Sequence, residues 1–234
     1  MKINNLYILS VISVLFFATC SNPVKQTATQ DEANTEYPSI LEIIAGTDTL
    51  SSVKLKEVCI ANGIDTTSIY QWKNHLIIYS KTEDNKNLQK QVSEAYPDAE
   101  IKYYDSPYYI FDRANCDNKE TASEWSHTIM TANLVSDTTM QKEYMDYHAT
   151  QSEKFPEVAN GFCKADFQQL LMFRNSRQLM LIISIPKGEN LDDLNPKTTE
   201  DNPRVDEWNA IMAKYQEGIE GSDGNTWVVF DNIK

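Results

Sequence analysis

Glycine and proline are scarce in this chain, at 7 and 8 of 234 residues. A collagen-like repeat needs glycine at every third position, and disordered chains are rich in proline and polar residues, so neither class fits. Positive charge is short as well: Lys and Arg total 21 against 34 Asp and Glu, a formal net charge of -13. Nucleic acids and anionic membrane surfaces are polyanions, and such a chain is a poor partner for both; a neutral sugar is not obstructed. No Gly-x-Gly-x-x-Gly, P-loop or zinc-spaced His/Cys set occurs, so no dinucleotide, nucleotide or zinc chemistry is signalled, and no cofactor or metal is expected. Beyond Cys20 there are three widely spaced cysteines, Cys59, Cys116 and Cys163, which form neither a disulfide framework nor a metal cluster. Buried, unreactive thiols are the expectation, with one bridge open to the chain in an oxidising compartment. What remains is 41% hydrophobic residues, enough core for one sizeable domain or two small ones.

The N-terminus carries a single early cation, Lys2, then an apolar run over residues 6–18. The run is short for a bilayer-spanning helix and suits the core of a signal peptide. It ends in Phe17-Ala18-Thr19-Cys20, and an apolar core followed by small residues and cysteine resembles a bacterial lipobox. That resemblance implies cleavage after residue 19 and lipid on Cys20, each buried methylene adding membrane affinity. The plain alternative is an ordinary cleaved signal with an incidental cysteine. Residues 20–37 are polar and read as a tether, with order beginning near residues 38–44. The expected location is outside the cytoplasm, with the membrane engaged only through the anchor.

Two halves follow, 38–120 and 121–234, with similar punctuation. In the first, a helix over 50–62 stops at Gly63, a hairpin turns at Lys73-Asn74, a second helix covers 88–96, and 99–111 is a closing strand region. In the second, a strand at 128–135 leads to a helix at 138–149 opened by Asp137. A helical stretch at 155–160 stops at Asn160-Gly161, and a hairpin pairs 166–173 with 178–185. Residues 187–202 read as a polar surface loop, 203–217 as a helix and 226–230 as the last strand. Each half is thus β-α-β-β-α-β, the ferredoxin-like arrangement. The predicted fold class is α+β, two ferredoxin-like halves of the dimeric α+β barrel type packed as an internal pseudo-dimer; the alternative is two independent α+β domains.

Chemistry concentrates in the second half. Tyr144 and His148 lie four apart and share one helical face. Imidazole is the one unperturbed side chain that titrates near neutral pH. Phe155-Pro156-Glu157-Val158 follows, and Trp208 and Met212 lie on one face of a later helix. Tyr-x-x-x-His, then aromatic-Pro-Glu-aliphatic, a hairpin, and Trp-x-x-x-Met together resemble the L-rhamnose mutarotase family over residues 129–231. The resemblance extends to Gly63-Ile64, Ser68-Ile69-Tyr70 and Leu76-Ile77-Ile78-Tyr79 in the first half. It implies a cofactor-free aldose 1-epimerase interconverting the anomers of L-rhamnose or a related 6-deoxyhexose. His148 matches the proton-transferring histidine, Tyr144 the sugar-contacting tyrosine and Trp208 the tryptophan against which the sugar packs. Met212 and Phe155, the latter where tryptophan is usual, join Trp208 as substrate-binding positions. The first half has no Tyr-x-x-x-His, so one site per chain is expected. The rival reading is a non-catalytic carbohydrate-binding or interaction lipoprotein on the same fold. His75 and His127 read as structural, and Tyr103, Tyr104, Tyr108 and Tyr109 as sheet packing rather than sugar contacts.

Overall fold

The computed structural model describes residues 36–46 and 50–233. The expected leader, Cys20 and all of the tether before Glu36 lie outside the described residues; Tyr37, the tether's last residue, packs against the core.

The chain enters through β1 (Ser39–Ile44) and α1 (Ser52–Ala61), whose Ser51 cap accepts the Val53 N–H. Next come β2 (Ile69–Trp72) and β3 (His75–Ser80), joined at the expected Lys73-Asn74 turn. Then α2 (Asn85–Ala95) presents Leu88 and Val92, one turn apart, to the core. The expected single strand over 99–111 is instead two: β4 (Glu100–Tyr104) and β5 (Tyr109–Asp112). Between them Pro107 supplies no N–H for a ladder, and the two strands go to opposite ends of the sheet.

The second half opens with β6 (Trp125–Leu134) and α3 (Thr138–Ala149), whose first N–H groups are taken by the Asp137 carboxylate. Short α4 (Gln151–Lys154) and α5 (Pro156–Lys164) precede β7 (Gln169–Asn175) and β8 (Gln178–Pro186). After these come α6 (Leu191–Leu194), α7 (Pro203–Met212), β9 (Gln216–Glu217) and β10 (Val228–Asn232).

The result is an α+β structure on one antiparallel sheet, in the order β4-β1-β3-β2-β10-β6-β8-β7-β5, with β9 paired to β6. The first four strands run β4-β1-β3-β2, and the matching strands of the second half run β10-β6-β8-β7, the same order. β2 and β10 join the two runs, with Gln71 opposite Asp231 and Tyr70 opposite Asn232. The strands are buried on both faces, so Leu76-Ile77-Ile78-Tyr79 reads as a continuous apolar run. Alternate residues divide the work: Leu76 and Ile78 face α1 and α2, while Ile77 and Tyr79 join Ile129, Leu171, Met180 and Phe230 in an inner layer drawn from both halves.

Three further expectations are corrected. Gly161 is no helix stop; α5 continues to Lys164, and a Cβ at position 161 would lie 2.5 Å from the Thr198 carbonyl oxygen. The glycine is there for close approach, not termination. That neighbour belongs to the supposed surface loop 187–202, which instead folds into α6 and a 3-10 turn (Asn195–Thr198) with Leu194 and Thr198 buried on α5. Finally, buried thiol describes Cys59 alone, whose burial pushes it up to about 11. Cys116 and Cys163 are bonded to each other, with Cα atoms 5.7 Å apart. A pairing 47 residues apart in sequence is made by β5 crossing to the edge of β7, which no spacing rule reveals.

Candidate functional site

Under the helices of the second half lies a cavity of about 1040 Å3, ample for a monosaccharide. Its floor is the helix-facing side of the sheet: Ser126, Thr128 and Met130 from β6, Leu170 and Met172 from β7, Leu181 and Ile183 from β8. α5, α6 and α7 wall it with Val158, Leu191, Trp208 and Met212, and Tyr109 enters from β5. Two carboxylates line it, Glu189 and Asp192, and no lysine or arginine does. Such a lining suits a neutral ligand over an anionic one.

His148 ends α3 with 8% of its surface exposed. Its Nδ1 lies 3.0 Å from the Tyr144 carbonyl oxygen, which can only accept, so the proton sits on Nδ1 and the lone pair on Nε2. Burial pushes the imidazole down to about 4, opposed in part by that hydrogen bond. The ring is therefore neutral at pH 7. Around it stand four aromatic rings, with centroid distances of 4.3 Å to Tyr144, 5.1 Å to Trp208, 5.4 Å to Tyr109 and 5.6 Å to Tyr108. Phe155 packs on the other side of Trp208 at 5.3 Å and carries the Arg204 guanidinium over its face at 4.2 Å.

The Tyr144 hydroxyl accepts from Tyr108 at 3.2 Å and from Gln216 Nε2 at 3.4 Å. Both its lone pairs are then engaged, and its own O–H is left to be donated. Burial pushes this phenol up to about 12, with the same two donors working against the shift. Gln216 is itself held through Oε1 by the Trp227 indole N–H at 3.2 Å, and both residues line the cavity.

All five expected positions thus fall in one neighbourhood, with a division among them. Trp208 and Met212 line the cavity; Tyr144, His148 and Phe155 do not: His148 packs against Trp208 and Tyr109, Phe155 against Trp208, and Tyr144 against His148. Sequence reading assigned Tyr108 and Tyr109 to sheet packing, yet both close around His148. Gln216 and Trp227 carried no signal beyond their polarity and aromaticity. Among the described residues, no group of three or more His, Cys, Asp or Glu is placed to hold a metal ion.

An antiparallel sheet under helices, with an imidazole among aromatic rings beside a cation-free cavity, suits a protein that handles a small neutral sugar. Comparison with known proteins narrows the class. The L-rhamnose mutarotase family matches residues 127–233. An L-fucose mutarotase from Xanthomonas campestris pv. campestris is 30% identical over 97 residues, covering 40% of this chain and 74% of that protein. The chain belongs to the L-rhamnose mutarotase family.

Proposed function

We propose that the second half catalyses mutarotation of a neutral 6-deoxyhexose, L-rhamnose or a close relative such as L-fucose. The observation that carries this reading is the neutral His148, its Nδ1 proton fixed on a backbone carbonyl and its ring packed against Trp208 and Tyr109, which line a cation-free cavity. Nε2 takes the proton of the anomeric hydroxyl and delivers it to the ring oxygen O5, which the free Tyr144 O–H orients by a hydrogen bond. The C1–O5 bond breaks, the aldehyde turns its other face, and closure reverses the two transfers, so no proton is gained or lost. Trp208 offers a flat apolar surface to the sugar C–H groups, with Met212 and Phe155 shaping that wall. Trp208 and Tyr109 both line the cavity and both pack edge-on to His148, so a change of rotamer in either ring admits substrate to Nε2.

Exchange NMR on the anomeric protons of L-rhamnose and L-fucose tests this. The protein should speed exchange of at least one sugar, and His148→Ala should slow it by about 10²–10⁴-fold. One observation favours a second reading, a sugar binder without catalysis: His148 stands behind the lining and is a weak base at about 4. Saturation transfer to the sugar without faster exchange would select that reading.

We also infer that the two runs of strands are an internal pseudo-dimer and that the chain is an extracytoplasmic lipoprotein. The repeated strand order and the shared inner layer support the first. The Cys116–Cys163 bond supports the second, since disulfides persist in oxidising compartments. A monomeric mass in solution with full exchange activity is expected, and Cys20→Ser should abolish incorporation of labelled palmitate; retained label would end the anchor proposal.

A further inference from the structure

A second large cavity, of about 890 Å3, lies away from the aromatic site. It sits where the tips of the β2–β3 and β7–β8 hairpins meet the ends of β1, β4 and β6. The two hairpins occupy equivalent places. Ile44 faces His75 across β1 and β3, and Asn133 faces Gln178 across β6 and β8, so His75 corresponds to Gln178 and Glu42 to Thr131. These four side chains converge. Glu42 is fully buried and accepts from His75 Nδ1 at 2.7 Å, Tyr104 Oη at 2.9 Å and Gln178 Nε2 at 3.0 Å. Gln178 Nε2 also donates to Thr131 Oγ1 at 3.1 Å, and Lys102 Nζ donates to Gln178 Oε1 at 2.8 Å.

A buried carboxylate is costly unless its acceptor positions are filled, and here they are. At its edge the network lines an open space large enough for a sugar-sized molecule with His75, Lys102 and Gln178, the imidazole 8% and the amide 5% exposed. With Nδ1 committed to Glu42, Nε2 is the nitrogen of His75 left for a ligand. His75 is also gripped between Trp72, at 5.4 Å, and Phe230, at 6.4 Å, which fixes its direction.

The charge of this cavity differs from that of the first. Lys73, Lys102 and Arg177 line it against Glu100 and Glu220. Each cation has a carboxylate nearby: Lys102 has Glu100 at 3.5 Å, Lys73 has Asp223 at 3.0 Å and Arg177 has Glu217. Those carboxylates are at least 45% exposed, so a ligand carboxylate can replace them at little cost. With those three exposed carboxylates displaced, Lys73, Lys102 and Arg177 face Glu220 and the buried Glu42, an excess of one positive charge that favours an anion.

We propose that this cavity binds a small polyhydroxylated carboxylate, a sugar acid, with its carboxylate on Lys102 and Arg177 and a hydroxyl on His75 Nε2. The test is titration of the protein with D-glucuronate and, separately, L-rhamnose, following the His75 imidazole signals by NMR. Glucuronate should shift them saturably in the millimolar range and L-rhamnose should not. Lys102→Met should weaken glucuronate binding about tenfold or more, as expected for losing a hydrogen bond to a charged group. The exchange rate of the neutral sugar should be unchanged, because Lys102 lies outside the aromatic site. Arg177→Gln gives the same readout if the first variant folds poorly. Absence of a saturable shift, equal shifts with L-rhamnose, or glucuronate binding indifferent to both variants would each overturn the proposal. Failure here leaves the mutarotation reading untouched, since that reading is scored on anomer exchange alone.

Discussion

The two halves share a strand order and differ in what lies on the helices. In the first half α1 and α2 cover the sheet alone, and Leu55, Cys59, Leu88 and Val92 fill the space beneath them. The second half adds α4, α5, α6 and a 3-10 turn, and with them comes the cavity of about 1040 Å3. Topology therefore does not carry the site; insertions and helix chemistry do. The two buried histidines repeat the lesson at the scale of one ring. Each is 8% exposed. His148 gives its Nδ1 proton to a neutral carbonyl, whereas His75 gives its own to the Glu42 carboxylate. Equal burial with unlike partners sets one ring on a backbone carbonyl and the other on a buried carboxylate.

Three experiments break or sharpen this contrast. The largest effect is expected at Glu42. Replacing it with alanine leaves His75, Tyr104 and Gln178 without their common acceptor, and should cost about 3–5 kcal/mol in urea unfolding. A loss below about 1 kcal/mol, the scale of an ordinary hydrogen bond, would show that the ring needs no carboxylate. His148 comes next, through pH. Its folded-state value of about 4 lies below the ordinary 6.5, so the unfolded chain takes up the proton first. Its contribution is intact above pH 6.5, is lost as pH falls toward 4, and changes no further below that. The difference between the parent and His148→Phe across this window should reach roughly 3 kcal/mol. Parallel pH profiles would remove the desolvation account. The Cys116–Cys163 bond comes last. Cys116→Ser with Cys163→Ser should cost about 2–4 kcal/mol, and a reductant should do the same to the parent but nothing to the double variant. If Tyr109 then loses its contact with His148, exchange activity falls as well, which would show that β5 serves the second half.

Much of the fold was legible because its signals are local. The Asp137 cap, the Lys73-Asn74 turn and the helix over 88–96 each rest on signals within a few turns of helix or one hairpin. The family signature was legible for the same reason: Tyr144 and His148 need only helical spacing to meet. Gly161 misled because one residue type serves two purposes, and its real neighbour, Thr198, is 37 positions away. Tyr109 is a sheet residue as read, opposite Met172, and what its local pattern did not show is that β5 lies on β7 and so brings it and Tyr108 to His148.

The sequence by itself determined the α+β class, the helices over 50–62, 88–96 and 138–149, the two hairpins and the helical edge that bears Tyr144 and His148, since these follow from period, caps and turns. Only the tertiary structure decided that β5 crosses to the far edge, that Cys116 meets Cys163, and that Glu42 faces both His75 and Gln178. Those contacts are set by which buried surfaces and unpaired polar groups find one another across the sheet, and that competition is settled by the whole chain at once.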